Sequence, residues 1–345
     1  MKRKFLFLFL LLFPMFLFGN MAKPWIDGSQ LSVLFGTENA SVKNETIHIR
    51  MVKDSIEGTY SANFSIKYHI FSNQKQKLPL LFIAINLNGS KEIKVNHHST
   101  EIKHLNFEKN TYSFLKQNQF GYYVNYDKNN QVYVNPDDLI YFSADLEKGD
   151  NIVEVHYNAS LQYNTYGFVT TYEVLYSLSP SKSWESFGDI EVNLMLDENL
   201  ELQKSNLGVE KLENKSFKWK ISPKNAENIE ISIAEKTSFI SKILLIFQPL
   251  GISFIALFGM IFLHYKWMKS NLKKYILVLG IIIFPILFYV VYFLSFNLIN
   301  FSLGKDHTRH GYIFFIVITY PIILLIYGLL IRQIFKKLNL NKNIL

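Results

Sequence analysis

Two different patterns of apolar residues divide the chain. From about Pro24 to Ser238 the period is two. Tyr60, Ala62, Phe64, Ile66, Tyr68 and Ile70 alternate with Ser61, Asn63, Ser65, Lys67 and His69. The same alternation returns at Val153, Val155, Tyr157, Ala159 and Leu161, and at Ile190, Val192, Leu194 and Leu196. It appears again at Phe217, Trp219 and Ile221, and at Ile229, Ile231 and Ile233. Successive side chains of a strand point to opposite faces, so each run predicts a half-buried strand. The apolar run from Leu80 to Leu87 predicts a central strand. Polar breaks at Asn73-Gln74, Asn88-Gly89, Asp127 to Asn130, Lys148-Gly149-Asp150 and Asn225 supply the turns. No long amphipathic helix is visible between Gly28 and Ser238. The expected fold class for residues 24–238 is all-β, an antiparallel β-sandwich-like domain. It forms one unit, or two smaller ones split near Lys128 to Asp138.

The last third reads differently. Apolar stretches at about Ile240–Leu263, Tyr275–Leu298 and Tyr312–Ile331 are each long enough to cross a bilayer as a helix. Residues 239–345 are therefore expected to form three transmembrane helices. Their interiors carry no Asp, Glu, Lys, Arg or His, which argues against a solitary transporter. Each contains one proline, Pro249, Pro285 or Pro321, where a helix can kink. At the other end, Lys2-Arg3-Lys4 precedes an apolar run from Phe5 to Phe18, followed by Gly19, Asn20, Met21 and Ala22. A basic start, an apolar middle and small residues predict a secretory signal peptide over residues 1–22. The alternative is an uncleaved anchor, and both place the following domain outside the cytoplasm.

Charge sharpens this picture. The formal net charge is +8, but much of it sits beside apolar stretches, at Lys266, Lys269, Lys273, Lys274, Arg332, Lys336 and Lys337. That distribution is a topology signal and gives no reason to expect nucleic acid. It places the first link and the tail in the cytoplasm and the second link outside. The expected location is a bacterial cell membrane, multi-pass, with the large N-terminal domain outside. There is no cysteine among the 345 residues, which excludes disulfides, thiolate metal sites and cysteine nucleophiles.

Candidate chemistry is sparse. His97, His98, Glu101 and His104 are the densest metal-type set, since imidazole and carboxylate suit zinc or copper; solvated loop histidines are the competing account. Asp306, His307, Arg309 and His310 form a polar cluster expected at the membrane surface, able to sense pH, bind a metal or contact lipid phosphate. Asp137-Asp138, and Asp127 with Asp145, are acidic pairs without a fixed spacing. No EF-hand loop, P-loop, HExxH or GxSxG motif occurs, and no cofactor is expected. Catalytic residues are not identifiable.

The segment Tyr176-Ser-Leu-Ser-Pro-Ser-Lys-Ser-Trp184, followed by Phe187-Gly188-Asp-Ile190-Glu-Val192, resembles a strand–turn–strand signature of bacterial envelope proteins. The resemblance covers about 20 residues. It implies a β-rich ectodomain followed by C-terminal membrane helices, and transfers no catalytic residue. Physically, Pro180 and the serines form the turn, and Trp184 with Phe187 packs beneath it. The expected function is that of a non-enzymatic membrane-anchored protein whose β domain binds a partner or ligand. The alternatives are a membrane-linked hydrolase or metal-dependent enzyme, and a subunit of a signalling or transport complex. Expected partners are the lipid bilayer and a membrane protein or a second copy of the chain, because three helices exceed what simple anchoring requires.

Overall fold

The computed structural model describes residues 33–35, 40–54, 58–84, 86–103, 115–125, 131–178, 181, 184–210, 216–223, 228–305 and 313–342. The expected signal segment 1–22 lies outside them. Eighteen strands precede three helices among the described residues. They are β1 (Val33–Phe35), β2 (Ala40–Lys53), β3 (Tyr60–Ser72), β4 (Gln76–Ile83), β5 (Leu87–Val95), β6 (His98–Thr100), β7 (Ile102–Lys103), β8 (Leu115–Asn118) and β9 (Gly121–Asn125). They continue with β10 (Gln131–Val134), β11 (Leu139–Leu146), β12 (Gly149–Ser160), β13 (Gln162–Asn164), β14 (Thr171–Ser177), β15 (Phe187–Met195), β16 (Leu200–Ser205), β17 (Ser216–Ile221) and β18 (Asn228–Glu235). The described residues fall into two compact units. One holds residues up to Gln162 with Tyr172–Glu198 and Leu202–Ser232; the other holds Tyr163–Thr171, Asn199–Glu201 and everything from Ile233 onward.

A seven-stranded sheet of order β17-β15-β2-β3-β12-β5-β6 dominates the first unit. A four-stranded sheet of order β1-β4-β11-β7 and a three-stranded sheet of order β10-β9-β8 accompany it, and a further four-stranded sheet runs β13-β14-β18-β16. β4 is central in its sheet, paired on one side with β1 and on the other with β11. This explains the nearly unbroken apolar run up to Ile83. The inner face of the large sheet is apolar. Phe64 stacks on Tyr157 at 4.8 Å, Tyr157 meets Phe82 of β4 at 5.4 Å, and Tyr60 meets Tyr172 of β14 edge to face at 5.4 Å. Each fully buried large side chain of this kind contributes about 1.5–3 kcal/mol.

The central strand β2 does not keep one phase. Ala40 and Val42 are buried, then Glu45, Ile47, Ile49 and Met51. The buried positions change from even to odd because the pairing with β3 shifts register between Val42 and Asn44. A bulge adds one residue and turns all later side chains over. β15 runs parallel to β2 here, pairing Phe187 with Val42 and Asp189 with Asn44. Gly188 therefore lies opposite the bulged Lys43, and a Cβ on Gly188 would collide with the Lys43 carbonyl.

The segment expected as a strand–turn–strand unit begins in β14 and ends in β15, but these strands belong to different sheets. The connection is a crossover between sheets, with Leu178 and Trp184 buried along it. Period two reports strands and not their partners, so sequence alone suggests a local turn.

In the second unit, α1 (Phe239–Ser270), α2 (Lys274–Ser302) and α3 (Ile313–Lys342) are long and apolar enough to cross a membrane. Ser238 caps α1, accepting from the Ser241 amide at 3.1 Å. α2 closes with Gly304 at φ 67°; the Lys305 amide bonds Asn300 O at 3.0 Å and the Gly304 amide bonds Phe301 O at 3.1 Å. This is the Schellman arrangement, which favours glycine at the left-handed position. It delivers the Lys305 ammonium to Glu235 at 2.6 Å and to the Phe168 carbonyl at 3.2 Å.

α1 runs past Leu263 to Ser270, so His264 is a helical residue and not part of a polar link. Its ring is fully buried. Nδ1 lies 2.9 Å from the Tyr327 hydroxyl, and Nε2 lies 3.2 Å from Ile276 O. A carbonyl only accepts, so Nε2–H donates to Ile276, while Nδ1 shares a hydrogen bond with the Tyr327 hydroxyl. One ring thus joins all three helices. Gly280 makes room for it, since a Cβ there would meet the imidazole.

Replacing Gly188 by alanine is expected to destabilise the first unit by about 2 kcal/mol or more, because the carbonyl it strikes is backbone inside a sheet. Thermal and denaturant unfolding of Gly188→Ala against Gly167→Ala, where the added methyl meets only ordinary contacts, checks this. A wild-type midpoint for Gly188→Ala would sink the argument.

Candidate functional site

The outer face of the seven-stranded sheet carries polar residues in rows that run across the strands. One row is Lys218, Asn193, His48, Ser65, His156 and Glu92, each in register with the next. To one side lies the row Lys220, Glu191, Thr46, Lys67, Glu154 and Lys94. To the other side lies Ser216, Met195, Arg50, Asn63 and Asn158.

The two ends of this face differ in how their charges are used. One end is a ladder of ion pairs: Lys218 with Glu191 at 2.5 Å, Lys220 with Asp189 at 3.0 Å, Lys67 with Glu154 at 3.4 Å, and Lys43 with Asp150. The bond from Lys218 comes first among the causes that hold Glu191 below the usual carboxylate range. The other end is different. Arg50, Asn63, His156 and Asn158 have no side-chain hydrogen bond or ion pair among the described residues. These four, with His48 and Ser65, line a concavity of about 680 Å³. Asn158 stands at a second irregularity, where the pairing of β12 with β5 shifts between Tyr157 and Ala159. Bulges of this kind re-aim side chains.

Chemically this end offers one guanidinium, two imidazoles, two amides and hydroxyls. The Arg50 guanidinium presents a planar fork of donors. His48 and His156 are two strands apart, about 10 Å, too far to share a metal ion directly. The carboxylate in the row, Glu92, is engaged by Lys94 at 3.1 Å. The arrangement suits recognition of a small polar molecule bearing an anionic group.

Beneath the same strand sits a buried acid. Glu45 is 2% exposed. The Tyr176 hydroxyl donates to Glu45 Oε1 at 2.5 Å, and the Tyr68 hydroxyl lies 2.7 Å from that of Tyr176. Burial pushes the Glu45 carboxyl from 4.5 up to about 7, against the lowering effect of the two tyrosine hydroxyls. Burial, and then the Glu45 charge, push both tyrosines well above their ordinary value. Tyr176 belongs to the segment singled out by resemblance; its partners come from β2 and β3 and are invisible locally.

The other sequence candidates are placed as follows. Asn96 and His97 are the two central residues of the β5–β6 hairpin turn, both left-handed at φ 50° and 68°, with Val95 opposite His98. This is the two-residue turn of right-twisted hairpins, which asparagine favours. His98 and Glu101 are exposed and line a shallow depression of about 510 Å³ with Lys77, Lys103 and Asp145. Two of its three carboxylates are paired, Asp145 with Lys77 at 3.6 Å and Glu147 with Lys75 at 2.7 Å. Among the described residues no group of three or more His, Asp or Glu is placed to hold a metal. His104, Asp127 and the cluster Asp306, His307, Arg309 and His310 lie outside the described residues. So does Pro180, while Trp184 is buried and Phe187 half-buried. In the pair Asp137-Asp138, Asp138 accepts the Leu87 amide at 3.1 Å, a structural bond.

Sequence reasoning did not single out His48, Arg50, Asn63, His156 or Asn158. The available signal was compositional: the outward positions at these strand ends carry Asn, His and Arg instead of Lys and Glu.

No protein-family model matches the chain, and no curated protein matches it. Among solved structures it is similar to a candidate nutrient binding protein of Legionella pneumophila, with 10% identity and a TM-score of 0.43 over 60% of this chain and 70% of that one. It is also similar to leukotriene A4 hydrolase from Saccharomyces cerevisiae, with 10% identity and a TM-score of 0.33 over 63% of this chain. The chain spans 31% of that enzyme. Likenesses at these TM-scores assign neither a fold nor an activity.

Glu45 makes stability depend on pH with a defined sign. A carboxyl raised from 4.5 to about 7 on folding holds its proton longer in the native state. Its contribution is complete below about pH 4.5 and is lost as pH climbs to about 7, a total of about 3 kcal/mol. Denaturant unfolding between pH 4.5 and 8 should show this loss in the wild type and a flatter profile in Glu45→Gln. Parallel profiles would remove Glu45 as the cause.

Proposed function

We propose that this chain is a non-enzymatic, membrane-anchored binding protein. Residues 24–238 form a β-sandwich-like domain on the outer side of a bacterial cell membrane, preceded by a signal peptide. Helices α1, α2 and α3 cross that membrane. The ligand is a small polar molecule carrying a carboxylate or phosphate, held on the unpaired end of the large sheet. The single observation that carries this reading is the convergence of Arg50, Asn63, His156 and Asn158 on one concavity without side-chain partners among the described residues. Elsewhere on the same face, charges are neutralised across strands. Polar groups left unpaired where neighbours are paired support a role toward something outside the chain. Binding is favoured over hydrolysis because the carboxylates near the histidines, Glu92 and Glu191, are tied to Lys94 and Lys218, and among the described residues no unpaired acid faces them for acid–base work.

Calorimetric titration of the full-length protein in mild detergent, with inorganic phosphate, small dicarboxylates and a neutral sugar for comparison, tests this. At least one anion should bind, and Arg50→Ala should weaken it about tenfold, equivalent to about 1.4 kcal/mol. Lys77→Ala, in the neighbouring depression, should leave binding unchanged. Failure of every anion, or binding that survives Arg50→Ala together with His156→Ala, overturns the proposal.

A further inference from the structure

Helix α1 is too long for its task. Its 32 residues correspond to about 48 Å, against about 30 Å of hydrocarbon. It is also not continuous. Gln248 adopts φ 56° and ψ 168°, a region nearly reserved for glycine. The cause is next to it. Pro249 has no N–H, so the Leu245 carbonyl, four residues earlier, loses its helical donor. The Gln248 side chain supplies one instead, Nε2 to Leu245 O at 2.7 Å. Both the break and the Gln248 amide face outward, since Gln248 is exposed. Irregular backbone and an exposed amide are not tolerated against lipid chains. The break therefore marks a level outside the hydrocarbon.

An independent measure finds the same level. His264 touches α2 at Ile276 and α3 at Tyr327, which aligns the basic ends of the three helices. Lys266 and Lys269, Lys273 and Lys274, and Arg332, Lys336 and Lys337 thus form one basic ring. Twenty residues, about 30 Å, counted back from Lys269 reach Pro249. The same length counted forward from Lys274 reaches Leu294, beside Ser295, Asn297 and Asn300. Counted back from Arg332, it reaches the start of α3. Hydrocarbon thickness and the break agree.

The piece beyond the break, Phe239 to Phe247, is two-faced. Phe239, Ile240, Ile243, Ile246 and Phe247 are all exposed, Phe239 and Ile246 at 78%. At 100° per residue they fill an arc of about 120°. On the opposite side Ser241 is buried and donates to Ser302 O at 2.7 Å, and Leu244 and Leu245 are half-buried, while Lys242, at the flank of the stripe, pairs with Glu201 at 3.0 Å. A short helix with one wide apolar stripe, next to a membrane boundary, has the form of an interfacial helix.

We propose that residues 239–247 are seated in the headgroup layer of the bilayer that the helices cross, on the side away from the basic ring. Lipid covers the stripe of Phe239, Ile240, Ile243, Ile246 and Phe247, and Gln248–Pro249 is the elbow between the lying and crossing parts. This rests on the reading that the helices span.

The chain has no cysteine, so single-cysteine variants accept one nitroxide each. Ile240→Cys, Ile246→Cys and Ile255→Cys all fall on exposed positions. Full-length protein in vesicles of phosphatidylcholine and phosphatidylglycerol is then probed with dissolved oxygen and a water-soluble nickel chelate. The label at Ile255 should collide with oxygen and not nickel. Labels at Ile240 and Ile246 should meet both, with an oxygen-to-nickel ratio several-fold lower than at Ile255. Ratios equal to that of Ile255 would make α1 one long kinked span. Nickel access as high as that of a label fully in buffer would place the helix in water, and access to neither would mean a protein, or a second copy, covers the stripe. Each of these overturns the proposal. A shallow label at Ile255 would instead refute the spanning reading beneath it.

Discussion

The shift of phase in β2 governs what each face of the large sheet presents. Had β2 kept its phase from Val42, the even positions would point inward, and His48 and Arg50 would be buried. The bulge between Val42 and Asn44 puts Ile47, Ile49 and Met51 into the core and turns His48 and Arg50 out. It also sends Glu45 inward, where a carboxylate is costly. The structure offsets that cost with two tyrosine hydroxyls, and burial raises the carboxyl to about 7. The bulge in turn depends on Gly188, which alone leaves space for the displaced Lys43 carbonyl. One missing side chain thus underlies both the core acid and the outer concavity.

The outer face is built from cross-strand pairs, the elementary unit of sheet stabilisation. Exposed ion pairs such as Lys220–Asp189 are worth little individually. Their value here is contrast. They consume the charges over one end of the face and leave the other end with groups whose hydrogen-bonding capacity is unspent. The bulge at Tyr157–Ala159 lies at that end, so both irregularities of the sheet bear on the same concavity.

The helical unit is organised by polar groups inside an apolar surround. His264 has both ring nitrogens satisfied by different helices, and Gly280 accommodates it. Ser241 reaches the end of α2, and Lys305 is fastened to Glu235 and Phe168. For helices long and apolar enough to cross a membrane, apolar contact inside a bilayer would provide little driving force, and such bonds and close approaches would specify the packing. Proline acts differently in each helix. Pro249 sits after a break with a substitute donor, whereas Pro285 and Pro321 lie within helices that run on through them.

Period-two alternation and long apolar runs are local properties, and the chain alone determined what depends on them. β-rich structure up to residue 235 and three long apolar helices after it were legible. So was the division of charge along the helices. What involved pairing was not legible. The sequence shows that Glu45 interrupts an apolar phase, but not that Tyr68 and Tyr176 lie beside it. It shows His264 next to a hydropathy boundary, but not that Ile276 and Tyr327 receive its ring. It shows outward Asn, His and Arg residues on separate strands, but not the register that gathers them. Alternation fixes which side a residue takes; only tertiary pairing, bulges included, fixes its neighbours, because those contacts join positions far apart in the chain.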